Sequence, residues 1–187
     1  MSTTTAESSA VDTATSLRNL YFVRFGFAIL WAAGMFVVGK SLGPVTIALL
    51  VLYPLFDVAA AIVDFRSSKT ARPTVGLYFN MALSLLTAIG LAVAMTSGIP
   101  AVLRVWGVWA ITAGAVQLIV AISRYRLGGQ WAMILSGGIS VLAGSNFILT
   151  AGTPKGMLAA VAGYAVLGGI FFLVSALRLH RVAKKGR

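Results

Sequence analysis

The 187-residue chain contains no cysteine and a single histidine, His180. Without cysteine there is no disulfide, no thiolate nucleophile and no Cys-type zinc or iron–sulfur site. His180 lies in a basic C-terminal segment that contains no second histidine and no carboxylate, so it lacks the neighbours that metal binding or a catalytic triad needs. We therefore expect His180 to be a solvated tail residue, and we expect no cofactor, no metal and no enzymatic activity.

Acidic residues are scarce as well, with 4 Asp and Glu against 15 Lys and Arg, for a net charge of +11. The chain is 59% hydrophobic and only 10% charged, whereas soluble domains are about 45–50% apolar and about 25% charged. This composition excludes a water-soluble domain and predicts that the lipid bilayer surrounds most of the chain. Because the basic residues lie between apolar runs and form no basic patch on a polar surface, we expect no nucleic-acid partner.

Six apolar runs make up most of the sequence, and each approaches the ~20 residues that a helix needs to cross a bilayer. The runs are 19–39, 43–65, 74–96, 100–122, 130–151 and 155–177. They are continuously apolar, whereas barrel strands would alternate over about 10 residues. The sequence therefore predicts an all-α integral membrane protein with six transmembrane helices within residues 18–178, followed by a basic cytoplasmic tail at 179–187.

The first 17 residues are rich in Ser, Thr and Ala, contain Glu7 and Asp12, and show no sustained apolar period. We expect residues 1–17 to form a disordered tail. No basic residue precedes Arg18, so the positive start of a cleavable signal peptide is missing and the first apolar run is predicted to be a retained helix.

The basic residues predict the orientation of the chain, because Lys and Arg are retained on the cytoplasmic side. An arrangement with both termini inside leaves only Lys40, Arg104 and Lys155 of the 15 basic residues outside. The sequence therefore predicts a multi-pass membrane protein with both termini in the cytoplasm. Most of these charges are expected to set the topology. A second candidate role for the basic tail is contact with anionic lipids, at about 1 kcal/mol per basic residue.

An internal repeat of about 55 residues is indicated by prolines in the three outward turns. Pro44, Pro100 and Pro154 are spaced by 56 and 54 residues, and each is predicted to start an even-numbered helix. A glycine precedes each proline by ten residues, and an aromatic residue follows nine or ten residues after it. The glycines are Gly34, Gly90 and Gly144, and the aromatics are Tyr53, Trp109 and Tyr164. The predicted unit is a helical hairpin that occurs three times.

The repeat resembles the HdeD-like family in its small residue, outward proline, aromatic residue and following Asp-Gly-like pair. That pair reads Asp57-Val58, Ala113-Gly114 and Gly168-Gly169 in the three units. The resemblance covers residues 19–180. It implies a six-helix bacterial inner-membrane protein associated with acid resistance, and it supplies no defined catalytic residues.

Asp57 is the ionisable residue whose position topology does not explain. It lies about eight residues, or about 12 Å, from the inner end of its helix, at a depth where a charge costs a few kcal/mol unless it has a partner. Asp64 lies seven residues after Asp57 and on the same face of the predicted helix. The candidate cluster at this depth comprises Asp57, Asp64, Arg24, Asn80 and Gln117. It is either a tether between helices or a titratable site in a water-accessible vestibule.

Small residues recur every four positions on two predicted helices. They are Ser136, Ser140 and Gly144 on the fifth helix and Ala110 and Gly114 on the fourth. Such stripes allow close helix packing within the bundle, with self-association into a homo-oligomer as the alternative.

The predicted topology together with the HdeD-like resemblance implies a non-enzymatic membrane protein that supports survival under acid or envelope stress. The alternative is a small transporter or proton-conducting protein that uses the Asp57 carboxylate.

Overall fold

The computed structural model describes residues 3–67, 74–123 and 131–185, and in this part of the chain the regular structure is helical throughout. Six long helices follow one another, with a 3₁₀ turn at Met95–Ser97 between the third and fourth. They are α1 (Thr3–Val38), α2 (Pro44–Ser67), α3 (Thr74–Ala94), α4 (Ile99–Ser123), α5 (Trp131–Thr150) and α6 (Leu158–Lys185). The side chain of His180 and the basic residues at 69, 72, 124 and 126 lie outside what is described.

Each of the six helices contains a segment long and apolar enough to cross a membrane, which confirms the predicted six-span architecture. The segments are Arg18–Val38, Pro44–Arg66, Val75–Ser97, Ile99–Ile119, Trp131–Thr150 and Leu158–Arg178. The connections 39–43, 95–98 and 151–157 meet at one end of the bundle, which we call the proline end. The opposite end, with Arg18, Arg66 and Arg178, is called the basic end.

The N-terminal segment precedes the first span in the same helix, since α1 is helical from Thr3 onward. Residues 3–17 contain neither glycine nor proline, and they continue directly into the first span. An established helix extends residue by residue without a new nucleation step. A polar segment next to a membrane-spanning helix can therefore become helical by continuing that helix. The C-terminal segment behaves in the same way, and α6 continues beyond its span to Lys185.

The helices form a closed ring in chain order, with α6 packed against α1. The α4–α5 and α1–α6 pairs pack most extensively, and α5–α6 packs least of all ring neighbours. A hydrophobic core fills the half of the bundle nearer the proline end. Its largest fully buried members are Trp106, Met35, Leu50, Leu91, Leu103 and Leu158. Asp57 lies beyond this core on α2, toward the basic end.

Proline and glycine shape the three turns at the proline end. Pro44 begins α2 and Pro100 is the second residue of α4, so their missing N–H groups fall in the first helical turn, where no bond is lost. Gly98 adopts φ +87°, a conformation that residues with a Cβ rarely take. Pro154 differs from prediction because α6 begins only at Leu158. A tight turn intervenes, in which the Gly156 N–H donates to the Thr153 carbonyl at 3.0 Å.

The glycines that precede the prolines make equivalent contacts in the first two hairpins. A Cβ built on Gly34 would lie 3.4 Å from Leu49, and one built on Gly90 would lie 3.3 Å from Val105. Both partners stand five residues after their proline. Gly144 instead lies against Gly107 on α4. The first two hairpins thus pack alike, and the third is more open.

Candidate functional site

The Asp57 carboxylate on α2 is the centre of a polar network inside the bundle. It forms an ion pair with Arg24 of α1. Its second oxygen, Oδ2, accepts hydrogen bonds from Asn80 Nδ2 at 2.9 Å and from Ser84 Oγ at 2.8 Å. Asp57 is only 8% exposed. A buried carboxylate is costly unless its charge and its lone pairs are both matched, and here three side chains match them.

The network extends to α4 through the Ser84 hydroxyl. Asn80 and Ser84 stand one turn apart on α3, so both face the same neighbour. Ser84 donates its proton to Asp57 and accepts a hydrogen bond from Trp109 Nε1 at 3.2 Å. A single buried hydroxyl therefore links α2, α3 and α4.

Arg24 also joins the network to α6. Its guanidinium carbon lies 4.5 Å from the centroid of the Phe172 ring, within the range of a cation–π interaction. Tyr21 packs on the same ring at a centroid distance of 5.8 Å. The cation is thus held between a carboxylate and an aromatic face, and the network spans five of the six helices.

The structure brings together three of the five residues predicted to cluster, Arg24, Asp57 and Asn80. Gln117 lies elsewhere and donates from Nε2 to the Met133 carbonyl at 3.1 Å, between α4 and α5. Asp64 is half-buried, two turns further along α2 toward the basic end. The geometry at Asp57 is that of the tether interpretation, in which neighbouring helices satisfy the carboxylate.

Ser84, Trp109 and Phe172 belong to the network and were absent from the predicted cluster. Ser84 had a usable signal, since it stands four residues after Asn80 and so shares its face. In the sequence, Trp109 stands out only as one of the three repeated aromatic residues. Phe172 had no signal, because an aromatic residue on an apolar helix is ordinary in a membrane span.

An aromatic cluster borders the network on the side of the proline end. Trp31, Tyr53, Trp106 and Trp109 pack with ring centroids between 4.7 and 6.0 Å apart. The Trp31 indole N–H donates to the Leu49 carbonyl at 2.7 Å. Trp106 is fully buried, and among the described side chains only its Nε1 is buried without a hydrogen-bond partner. These rings separate the polar network from the proline end.

The predicted small residues lie at the α4–α5 contact, where two glycine pairs let the backbones approach closely. A Cβ on Gly107 would lie 2.6 Å from the Gly144 carbonyl oxygen, and one on Gly114 would lie 2.8 Å from the Gly137 carbonyl oxygen. The predicted set also includes Ala110, which is buried, Ser136, which is half-buried, and Ser140, whose hydroxyl accepts a hydrogen bond from Tyr164 at 3.0 Å. Gly107, Gly114, Gly137 and Gly144 thus lie in close packing contacts between α4 and α5 of one chain.

Within the described residues, no group of three or more His, Asp or Glu side chains is placed to hold a metal ion. Comparison of the chain with protein-family models, with curated proteins and with solved structures gives no match. The site is an ion pair between Arg24 and Asp57 whose carboxylate also accepts hydrogen bonds from Asn80 and Ser84, and it links helices within their apolar spans.

Proposed function

We propose that the chain is a bacterial inner-membrane protein of the HdeD-like type that supports survival under acid or envelope stress without catalysing a reaction. The observation that carries this proposal is the fully partnered Asp57. Its carboxylate is engaged by Arg24, Asn80 and Ser84, as expected of a group that holds a bundle together. A stress role of this kind requires a stable bundle in the membrane rather than a reactive centre.

The proposal includes both termini in the cytoplasm and a threefold hairpin repeat. The distribution of Lys and Arg supports the orientation, since only Lys40, Arg104 and Lys155 of the basic residues that the structure describes lie at the proline end. The matching contacts of Gly34 with Leu49 and of Gly90 with Val105 support the repeat in the first two hairpins.

A proton-conducting role for Asp57 receives less support from the geometry. A carboxylate that relays protons must exchange them with water on both sides of the membrane. Here three donors engage the carboxylate, and the cluster of Trp31, Tyr53, Trp106 and Trp109 lies between it and the proline end.

Deletion of the gene followed by an acid challenge tests the proposed role. We expect the deletion strain to survive low pH less well than its parent, and a plasmid copy of the wild-type gene to restore survival. Equal survival of deletion and parent under both acid and envelope stress would contradict the proposal.

A second measurement separates the proposed role from proton conduction. Purified protein in vesicles that contain a pH-sensitive dye is expected to leak protons no faster than empty vesicles. A leak that disappears in Asp57→Asn but persists in Asp64→Asn would instead establish conduction through Asp57.

A further inference from the structure

α5 and α6 pack less than any other neighbours in the ring, and we call the groove between them the α5–α6 cleft. These helices meet at two levels. Nearer the proline end, Tyr164 donates a hydrogen bond to Ser140 at 3.0 Å. At the basic end, the guanidinium carbon of Arg178 lies 4.3 Å from the centroid of the Trp131 ring. The two contacts mark the upper and lower limits of the cleft.

Gly168 leaves open space between these two levels. A Cβ built on Gly168 would have no heavy atom within 4 Å. Tyr164 and Phe172 stand about 40° to either side of it around α6, and they contact Ser140 and Arg24 inside the bundle. The open space at Gly168 therefore faces the interior and not the surrounding lipid.

Gly168 is the counterpart of Asp57 in the third hairpin, because each stands four residues after the repeated aromatic residue of its unit, Tyr164 or Tyr53. Asp57 reaches across to α1 and α3, whereas Gly168 contributes no side chain at the equivalent place. The side chains of Arg24 and Asp57 retain 19% and 12% of their exposure. The interior beside Gly168 thus combines aromatic surface with one neutral polar pair.

The basic end of the cleft lies at an expected headgroup position. Trp131, the first residue of α5, is 49% exposed, and tryptophan prefers the membrane–water interface. Arg178 stacks on it, and α6 continues as a helix to Lys185. Arg178 therefore places a positive charge at the mouth of the cleft.

We propose that the α5–α6 cleft binds one acyl chain of an anionic phospholipid, with the lipid phosphate at Arg178 and the chain extending along α6 to Gly168. Ten residues separate Arg178 from Gly168, which is about 15 Å of helix, or about half of the ~30 Å hydrocarbon core. One leaflet's acyl chain covers that depth. The Tyr164–Ser140 hydrogen bond closes the cleft beyond Gly168. This site does not depend on the stress role.

Native mass spectrometry of the full chain in detergent tests the site, with phosphatidylglycerol or phosphatidylcholine added at equal concentration. We expect retention of one phosphatidylglycerol and much less phosphatidylcholine. Gly168→Leu fills the open space and should abolish the retained lipid. Gly163→Leu is the matched control, since a Cβ on Gly163 also meets nothing within 4 Å but stands on the outer face with Leu167 and Ile170. Equal retention by Gly168→Leu and Gly163→Leu would overturn the proposal.

The headgroup half is tested by Arg178→Gln. We expect a loss of phosphatidylglycerol affinity of about fivefold, since one basic residue near an anionic surface contributes about 1 kcal/mol. Arg104→Gln, an exposed arginine at the proline end, should leave the affinity unchanged. Equal binding of the two phospholipids, or equal loss in both variants, would refute a headgroup site at Arg178.

Thiol modification of the purified protein repeats this experiment without affecting folding, because the bulky group is added after the protein has folded. Because the chain has no cysteine, Gly168→Cys and Gly163→Cys each provide a single thiol. Maleimide modification after purification should release phosphatidylglycerol from Gly168→Cys only, and phosphatidylglycerol added first should slow modification at that position only. Modification of Gly168→Cys at a rate insensitive to the lipid, with the lipid still bound, would overturn the proposal.

Discussion

At the scale of single residues, Arg24 and Asp57 depend on each other, because removal of either side chain leaves the charge of the other unpaired. Asp57 is buried and Arg24 is half-buried, and Asp57 also accepts hydrogen bonds from Asn80 and Ser84. Breaking a buried ion pair by removing one partner costs more than replacing both, because the remaining charge is left without compensation. The stability of the bundle should therefore respond very differently to single and double substitutions here.

We predict that Asp57→Ala lowers the free energy of unfolding by about 3–5 kcal/mol, because it leaves Arg24 uncompensated inside the bundle. The double variant Arg24→Met with Asp57→Leu should recover most of that loss, since apolar side chains of similar volume carry no desolvation penalty. Unfolding of the detergent-solubilised protein by sodium dodecyl sulfate, followed by circular dichroism, measures both changes.

Asp64→Ala is the control for this prediction, because Asp64 is an aspartate on the same helix that lies nearer the basic end and retains more exposure. It should cost much less than Asp57→Ala, as expected of charges that water can reach. A double variant no more stable than Asp57→Ala would show that the pair is not the source of the loss.

The sequence predicted part of this site, and the limits are physical. The sequence predicts how far each residue lies from the end of its helix, so it places Arg24, Asp57 and Asn80 at one level. It does not predict which side of a helix contacts which neighbouring helix. Gln117 lies at a similar depth and faces α5 instead, because the Gly114–Gly137 contact fixes how α4 turns toward α5.

At the scale of helices, the glycine pairs of the α4–α5 contact determine how closely two backbones approach. Glycine at such a crossing removes the only atom that would hold the helices apart, and in a bilayer this packing replaces the hydrophobic effect as the driving force. Gly137 and Gly138 are adjacent in sequence and differ only in where they face. A Cβ on Gly137 would lie 2.8 Å from the Gly114 carbonyl oxygen, and one on Gly138 would meet nothing within 4 Å.

We predict opposite effects for alanine at these two positions. Gly137→Ala should destabilise the bundle by about 1–3 kcal/mol, because backbone atoms of α4 must move apart to admit the methyl group. Gly138→Ala should be neutral or stabilising by up to about 1 kcal/mol, since alanine is the better helix former and the space is open. Thermal unfolding in detergent compares the two proteins. Equal stability of the two variants would contradict the close α4–α5 contact.

The sequence predicted that six helices exist more reliably than it predicted their ends. Apolar length identifies a span because the thickness of the bilayer sets it. The ends of the helices depend on the sequence beyond the lipid, where glycine, proline and tight turns determine the residue at which a helix begins or ends. The absence of glycine and proline before Gly26 lets α1 begin at Thr3, and the tight turn at Gly156 delays α6 beyond Pro154.

At the scale of the whole molecule, charge asymmetry links orientation to lipid. The proline end contains Lys40, Arg104 and Lys155, whereas Arg18, Arg66 and Arg178 lie at the basic end. If the basic end is cytoplasmic, Arg178 lies in the leaflet that attracts basic residues most strongly, because its surface potential is negative. The orientation and the proposed lipid site thus constrain each other.

We predict that Ser41→Cys is labelled in intact cells by a membrane-impermeant maleimide, whereas Ala183→Cys is labelled only after the membrane is opened. Ser41 lies exposed in the first turn of the proline end, and Ala183 lies on the part of α6 beyond its span. The chain has no cysteine, so each variant reports a single position against no background. The reverse labelling pattern would invert the topology. It would place Arg178 in the outer leaflet, where the lipid partner of the α5–α6 cleft would have to be sought instead.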